Sequence, residues 1–315
     1  MCGIIGYVGN KKASDILLNG LKRLEYRGYD SCGVVTVTSE VNIKKDVGKV
    51  AEVDKKHSLA DLDGTMGMAH TRWVTYGGVT KENSHPHTDC KSQIIVVHNG
   101  IIENYQELKA ELGATGHQFK SQTDTEIIPH LIEEHMSLGN DFESACMSAM
   151  AKLEGNYAVL IIKKGERKIV ASRRGSPLVL GMADHGFFAA SDIPAFLEHT
   201  KKVIYLYDGD FVVLSDHMIK IFNIDEGKQV DRPIDSVDWD MEQAKKGEFE
   251  HFMMKEISDQ LDTVQRAAKQ DKAAIDFIVN EIKNSKGIFF IGCGTSYHAC
   301  LAASYVFSKV ADMHV

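Results

Sequence analysis

Met1-Cys2-Gly3-Ile4-Ile5-Gly6-Tyr7-Val8 opens the chain. Residues 3–8 are apolar or glycine without interruption, the pattern of a strand buried on both faces. Cys2 stands directly before that strand and is small enough to leave Met1 open to an aminopeptidase. Loss of Met1 would put a thiol and a free α-amino group on one residue. A thiol ionises near pH ~8.5 and an α-amino group at about 7.7–8.0, so neutral amine is available near pH 7 to take the thiol proton. Cys2 therefore reads in two ways. It is a nucleophile that carries its own base, or a small apolar residue that starts a strand.

Downstream, Ile16, Leu17, Gly20, Leu21 and Leu24 recur at helical spacing and predict an amphipathic helix over 14–25. The β-branched run 34–38 and the segments 66–70 and 93–97 predict strands, the last ending in His98-Asn99-Gly100. Helices are expected at about 102–112, 124–136 and 141–153. Short strands follow at 156–162, 168–172, 178–181, 187–190, 202–206, 210–214 and 218–222. Strands with helices grouped between them imply an α+β fold with largely antiparallel sheets over residues 1–224. Residues 225–247 are charged, contain Pro233 and suit a linker.

From Glu248 to about Ser285 the pattern is helical, with Phe249, Phe252, Met253, Ile257 and Leu261 on one face. Gly287–Ile291 reads as a buried parallel strand, followed by a Gly-Cys-Gly turn and an Ala-rich helix, the start of a doubly wound α/β domain over 248–315. One strand and one helix cannot cover both faces of such a sheet, so the chain is expected to be a fragment that lacks most of this domain.

The net charge of −8 offers no basic footprint for nucleic acid or a membrane surface. Six cysteines (Cys2, Cys32, Cys90, Cys146, Cys293, Cys300) are scattered without a C-x-x-C pair, unlike a zinc site or a disulfide framework. With neither a signal peptide nor a long apolar run in the sequence, the expected location is the cytoplasm. No metal is expected either: His70, His85, His87 and His98 lack a matching spacing of Cys, His or carboxylates.

The opening Cys2-Gly3-Ile4-Ile5-Gly6 resembles the start of the class II glutamine amidotransferases, which are N-terminal-nucleophile hydrolases. Leu24-Glu25-Tyr26-Arg27-Gly28-Tyr29-Asp30-Ser31 resembles one branch in particular, the glutamine–fructose-6-phosphate aminotransferases. So do His70-Thr71-Arg72-Trp73, Asn83-Ser84-His85-Pro86-His87, His98-Asn99-Gly100-Ile101-Ile102-Glu103-Asn104 and Thr123-Asp124-Thr125-Glu126, in order and spacing. The likeness runs on through Glu250–Ile257.

The resemblance implies a four-layer αββα sandwich in which Cys2 hydrolyses L-glutamine. The released ammonia would aminate fructose 6-phosphate to glucosamine 6-phosphate, without cofactor and in a homodimer when the chain is full length. It implies Asn99, through its side-chain amide, and Gly100, through its backbone N–H, as donors to the oxyanion. Asn-Gly is equally the commonest hairpin-turn pair. Arg72 would take the substrate carboxylate through its planar guanidinium and Asp124 the ammonium. Taken alone, Arg72 reads as a surface ion pair and Asp124 as a helix cap. Trp73, Thr75 and His85 would line the glutamine pocket or its cover, although Trp73 equally suits a core. Tyr76 departs from the histidine often found there in bacterial relatives. Arg27 would border the pocket, or else pair with Glu25 or Asp30.

Cys293-Gly294-Thr295-Ser296 would form a phosphate loop for the sugar, its amides and hydroxyls facing the anion at a helix start. The spacing does not match a G-x-G-x-x-G dinucleotide fingerprint, so NAD is not expected. Two further readings stand beside this one: the glutaminase half of another class II amidotransferase, and a non-catalytic sugar-phosphate-binding module with a structural Cys2.

Overall fold

A computed structural model describes residues 2–238, 249 and 252–315. The chain divides into two compact units, Met1–Lys245 and Lys246–Val315.

The first unit is built on the opening strand β1 (Gly3–Gly9), every residue of which is buried. Its side chains alternate. Ile4 and Val8 join the apolar layer between two sheets, while Ile5 and Tyr7 face the helix α1 (Ala13–Leu24). The expected helix over 14–25 is thus α1, and its apolar stripe covers the outer face of the first sheet.

That sheet holds eight strands, all paired antiparallel: β1, β2 (Ser31–Val37), β3 (Val41–Val47), β4 (Met66–Arg72), β9 (Val179–Ala183), β10 (Gly186–Ala190), β11 (Lys202–Tyr205) and β15 (Asp235–Ser236). A second antiparallel sheet holds seven: β5 (His87–Thr88), β6 (Ile94–Ile102), β7 (Gly155–Lys163), β8 (Lys168–Arg174), β12 (Asp210–Ser215), β13 (Met218–Asn223) and β14 (Lys228–Gln229). Its inner residues Ile95, Val97, Ala158, Leu160 and Ile162 meet Ile4, Val8 and Val35 of the first sheet. Its outer residues Ile94, Val96, Val159 and Ile161 pack with α3 (Tyr105–Ala114), α4 (Ile127–Ser137) and α5 (Phe142–Lys152). The layer order is therefore helix, sheet, sheet, helix, as the resemblance implies. A short α2 (Val50–His57), preceded by β3, completes the first outer layer.

The expected linker 225–247 is not one along its whole length. β14 and β15 lie within it and close an edge of each sheet, and Val237 is buried. Arg232 anchors this stretch by donating to both oxygens of the fully buried Asp210 (2.9 and 2.7 Å). Charge composition suggested solvent, but a buried carboxylate needs a cation. Arg232→Ala is expected to cost about 3 kcal/mol by leaving Asp210 buried without it, read as a lower urea midpoint at unchanged slope.

The second unit contains α6 (Phe252–Ala268), α7 (Lys272–Asn284) and α8 (Thr295–Val310). Asp271 caps α7 by accepting from Ala274 N (3.0 Å). Residues 287–291 are not a strand, and Phe289 and Ile291 are exposed. A strand needs a neighbour for its backbone groups, and the described part of this unit offers none. Met253, Ile257 and Leu261 of the expected apolar face are likewise exposed; the side chain of Phe252 lies outside the described residues.

Candidate active site

Antiparallel pairing sets Gly3 opposite Thr71, so Cys2 falls beside the end of β4, where Arg72 and Trp73 follow. Trp73 N donates to Cys2 Sγ (3.2 Å), and Sγ lies 3.4 Å from Trp73 O, so the thiol is held on both sides by one residue's backbone. Burial pushes the thiol's pKa up, while the Trp73 amide and the nearby Arg72 charge pull it down. The upward effect wins. Cys2 is a thiol at neutral pH and needs a base to attack.

The segment Tyr26–Asp30 buttresses this strand end. Thr71 Oγ1 donates to Gly28 O, Asp30 N donates to Arg72 O (3.0 Å), and Val74 N donates to Asp30 Oδ2 (2.8 Å). A Cβ on Gly28 would sit 2.7 Å from both Arg72 C and Trp73 N, a close approach that only glycine permits. Arg27 donates from Nε to Cys2 O (3.1 Å) and pairs through Nη1 with Asp192 (3.3 Å), not with Glu25 or Asp30.

Asn99 and Gly100 come to Cys2 from the second sheet. They are no hairpin turn: β6 runs through them and pairs Asn99 with Ala158 and Gly100 with Tyr157. Gly100 has φ +125°, and a Cβ there would collide with Asn156 O, so the glycine is required by the strand itself. Asn99 Nδ2 donates to Cys2 O (2.9 Å). Its Oδ1 faces His70 Nε2 at 3.1 Å, and the same nitrogen is 3.0 Å from His98 O. A carbonyl only accepts, so Nε2 carries the proton and donates to both oxygens. His70 thereby fixes which way the Asn99 amide points, NH₂ toward Cys2. Burial holds His70 down to about 3, so it stays neutral. It stacks on His85 (centroids 3.8 Å apart), whose Nδ1 accepts from His98 N (3.3 Å). These histidines form a neutral packed floor. The His70–Asn99 contact is one that sequence order does not single out, because it joins two sheets.

Arg72 and Asp124 are both buried and line one recess with Cys2, Thr75, His85 and Gly100. Arg72 is no surface ion pair; it donates from Nη1 to Gly78 O (3.1 Å) and from Nη2 to Tyr76 O. Asp124 does not cap α4, which starts at Ile127. Its Oδ2 accepts from Ile102 N (2.8 Å) and leaves Oδ1 without a donor among the described residues. The recess encloses about 20 Å³, room for about one water molecule. A wider cavity of about 310 Å³ adjoins it, lined by Cys2, Arg27, Trp73, Thr75, Asn99 and Gly100, with Ile101, Ser176 and Pro177 added by the fold. Trp73 is 44% exposed and is not a core residue. In the second unit Gly294 (φ +58°) precedes α8 and makes no side-chain cap, while Ser296 N donates to Cys293 O (3.2 Å).

Residues 70–198 match the family described as glutamine amidotransferase domain. Over 312 residues the chain is 47% identical to the glutamine–fructose-6-phosphate aminotransferase (isomerizing) of Methanothermobacter thermautotrophicus, covering 98% of this chain and 52% of that one. It is 44% identical over 313 residues to that of Thermococcus kodakarensis, covering 99% and 52%. The chain thus spans about half the length of the curated relatives it matches. Among solved structures, glutamine phosphoribosylpyrophosphate amidotransferase from B. subtilis, complexed with ADP and GMP, superposes with a TM-score of 0.62 at 25% identity, over 71% of this chain and 49% of that one. The structure titled as the allosteric regulatory enzyme of purine biosynthesis superposes at 0.63 and 27%, over 71% and 49%. The fold is thus shared with these structures, the sequence with the first set of relatives: the chain belongs to the class II glutamine amidotransferases, on the branch of the glutamine–fructose-6-phosphate aminotransferases.

Proposed function

We propose that this chain hydrolyses L-glutamine at Cys2. In a chain as long as its relatives, the ammonia would go to fructose 6-phosphate to give glucosamine 6-phosphate. One observation carries the first step. Cys2 lines a single recess with a buried cation, Arg72, and a buried carboxylate, Asp124, the pair that an α-amino acid head group requires. With the head group held there, the side-chain amide reaches Sγ. The α-amine takes the thiol proton, sulfur attacks the amide carbon, and Asn99 Nδ2 with Gly100 N–H receives the developing oxyanion. The amine then protonates the leaving ammonia, and water cleaves the thioester. The test is release of glutamate from glutamine, paired with the intact mass of the protein. Turnover by chains that all retain Met1 would sink the self-base mechanism.

Because burial keeps Cys2 a thiol, the rate is expected to follow the amine. Neutral amine is the active form, so kcat rises with pH and levels off above about 8, where the amine has lost its proton. A pH–rate profile checks the sign.

The recess is too small for glutamine while Arg72 holds Tyr76 O and Gly78 O. Entry therefore requires residues 73–83 to shift and hand Arg72 to the substrate carboxylate. Amide exchange in that segment is expected to change several-fold when a glutamine analogue alkylates Cys2, with α5 as an unaffected reference.

For the sugar, the support is the start of α8. Gly294 offers no side-chain cap, so the Thr295 amide and the hydroxyls of Thr295 and Ser296 would face a phosphate, while Ser296 N is held by Cys293 O (3.2 Å). No described helix is long and apolar enough to cross a membrane.

A further inference from the structure

Cys90, His117, His130 and Glu133 converge at one point, and none of them lines the Cys2 recess or the cavity beside it. Each comes from a different stretch except the last two. Cys90 follows β5, His117 lies between α3 and α4, and His130 and Glu133 stand one turn apart on α4. One ligand atom from each lies within 4.8 Å of all the others.

The individual separations are more telling. His117 Nδ1 is 3.1 Å from His130 Nδ1, and Cys90 Sγ is 3.7 and 3.5 Å from the same two nitrogens. Glu133 Oε2 is 3.3 Å from His117 Nδ1 and 3.6 Å from His130 Nδ1. Zinc bonds of about 2.3 Å to sulfur and 2.0–2.2 Å to nitrogen or oxygen give a tetrahedron with edges of about 3.3–3.6 Å. Five of the six separations among the four atoms run from 3.1 to 3.7 Å, close to those edges.

Hydrogen bonding alone accounts poorly for this arrangement. His117 Nε2 faces Glu134 Oε2 at 3.2 Å, an acceptor only, so that nitrogen carries the ring proton and Nδ1 presents a lone pair. His130 is buried, and its Nε2 has no hydrogen-bond partner; Glu126 Oε1 stands 3.8 Å away. With its proton on that side, His130 Nδ1 is a second lone pair. Glu133 Oε2 accepts from Cys90 N (3.1 Å), which leaves the Cys90 thiol to serve both imidazole lone pairs. A carboxylate behind each imidazole is the usual outer support of a metal-bound histidine.

We propose that these four residues bind one zinc ion as a closed structural site, with Cys90 as thiolate, both histidines through Nδ1, and Glu133 through Oε2. The ion would tie the β5–β6 turn and the α3–α4 connection to α4. These segments adjoin His85 and His87 on one side and Thr123–Glu126 on the other, so zinc would stiffen the wall behind Asp124. Cys90 is exposed, which gives the ion a path from solvent.

The test uses tag-free, reduced protein. Metal analysis after dialysis against zinc and then buffer is expected to give about one zinc per chain. Cobalt(II) in its place should show a thiolate charge-transfer band and tetrahedral d–d bands. The thermal midpoint should rise by about 5–10 °C at a hundredfold excess of free zinc over its Kd. Cys90→Ser should remove the charge-transfer band while the protein still folds, and His130→Ala should remove zinc retention. Folded wild-type chain that retains less than about a tenth of an equivalent and shows no cobalt–thiolate band overturns the proposal, as does wild-type zinc retention by both variants.

Discussion

Cys2→Ala is expected to abolish glutamine hydrolysis, a fall of about 10⁴-fold or more in kcat, and to leave the fold intact. The size follows from the chemistry. Without sulfur no thioester forms, and what remains is direct attack by water on an amide positioned by Arg72 and Asp124. The intact fold follows from the placement of the residue. Cys2 precedes β1, is partly exposed, and donates no side-chain contact to the core clusters. Its backbone carbonyl, which accepts from Arg27 Nε and Asn99 Nδ2, survives the substitution. A change in unfolding free energy within about 1 kcal/mol is therefore expected. Cys2→Ser sharpens the experiment, because it keeps Met1 removable and the α-amine in place while substituting a poorer nucleophile. Glutamate release at the wild-type rate by Cys2→Ala would place the nucleophile elsewhere.

The sandwich was legible because its strands are buried on both faces or alternate cleanly. Residues 3–8 and 94–97 are apolar or glycine runs, and 156–162 with 168–172, like 210–214 with 218–222, pair as hairpins. What the sequence concealed is physical in each case. β3 (Val41–Val47) is half-exposed and lysine-rich, so its one-sided pattern is faint. Asn99-Gly100 carries the chemistry of a turn, yet pairing with β7 holds it extended, and tertiary context overrides local preference. The linker composition of 225–247 hides the Arg232–Asp210 pair because burial of the partner lies in another strand. In the second unit, residues 287–291 have strand composition but no strand beside them among the described residues. For the candidate site, the residues that the sequence grouped around Cys2 do line one recess and the cavity beside it. The link from His70 to Asn99 and the convergence on Cys90 were not, because both join segments that only the packed sheets and helices bring together.

Asn99→Ala is expected to lower kcat by about 10²–10³-fold, about 2.7–4 kcal/mol of transition-state stabilisation, with little change in KM. The separation of kcat from KM is the informative part. In the proposed binding mode Arg72 and Asp124 would hold the head group in a recess that Asn99 does not line, so ground-state binding would be spared. The Asn99 amide meets charge only once the carbonyl carbon is attacked. His70 governs the same step from behind. Its Nε2–H binds Asn99 Oδ1, and without it the amide is free to turn its oxygen toward Cys2 and repel the oxyanion. His70→Ala also opens a cavity beside His85, so His70→Gln is the cleaner variant, because its amide N–H restores a donor to Asn99. His70→Ala is expected to lose about tenfold or more in kcat, and His70→Gln to recover much of it. Neither should move the pH–rate profile. His70 is held down to about 3 by burial and carries no charge across the working range, so a positioning role predicts a change in height and not in shape. A shifted acid limb in His70→Gln would mean that the imidazole exchanges protons with the reaction. An Asn99→Ala variant within threefold of wild type would mean that the oxyanion is held by backbone N–H groups alone, Trp73 N, which donates to Sγ at 3.2 Å, being one candidate.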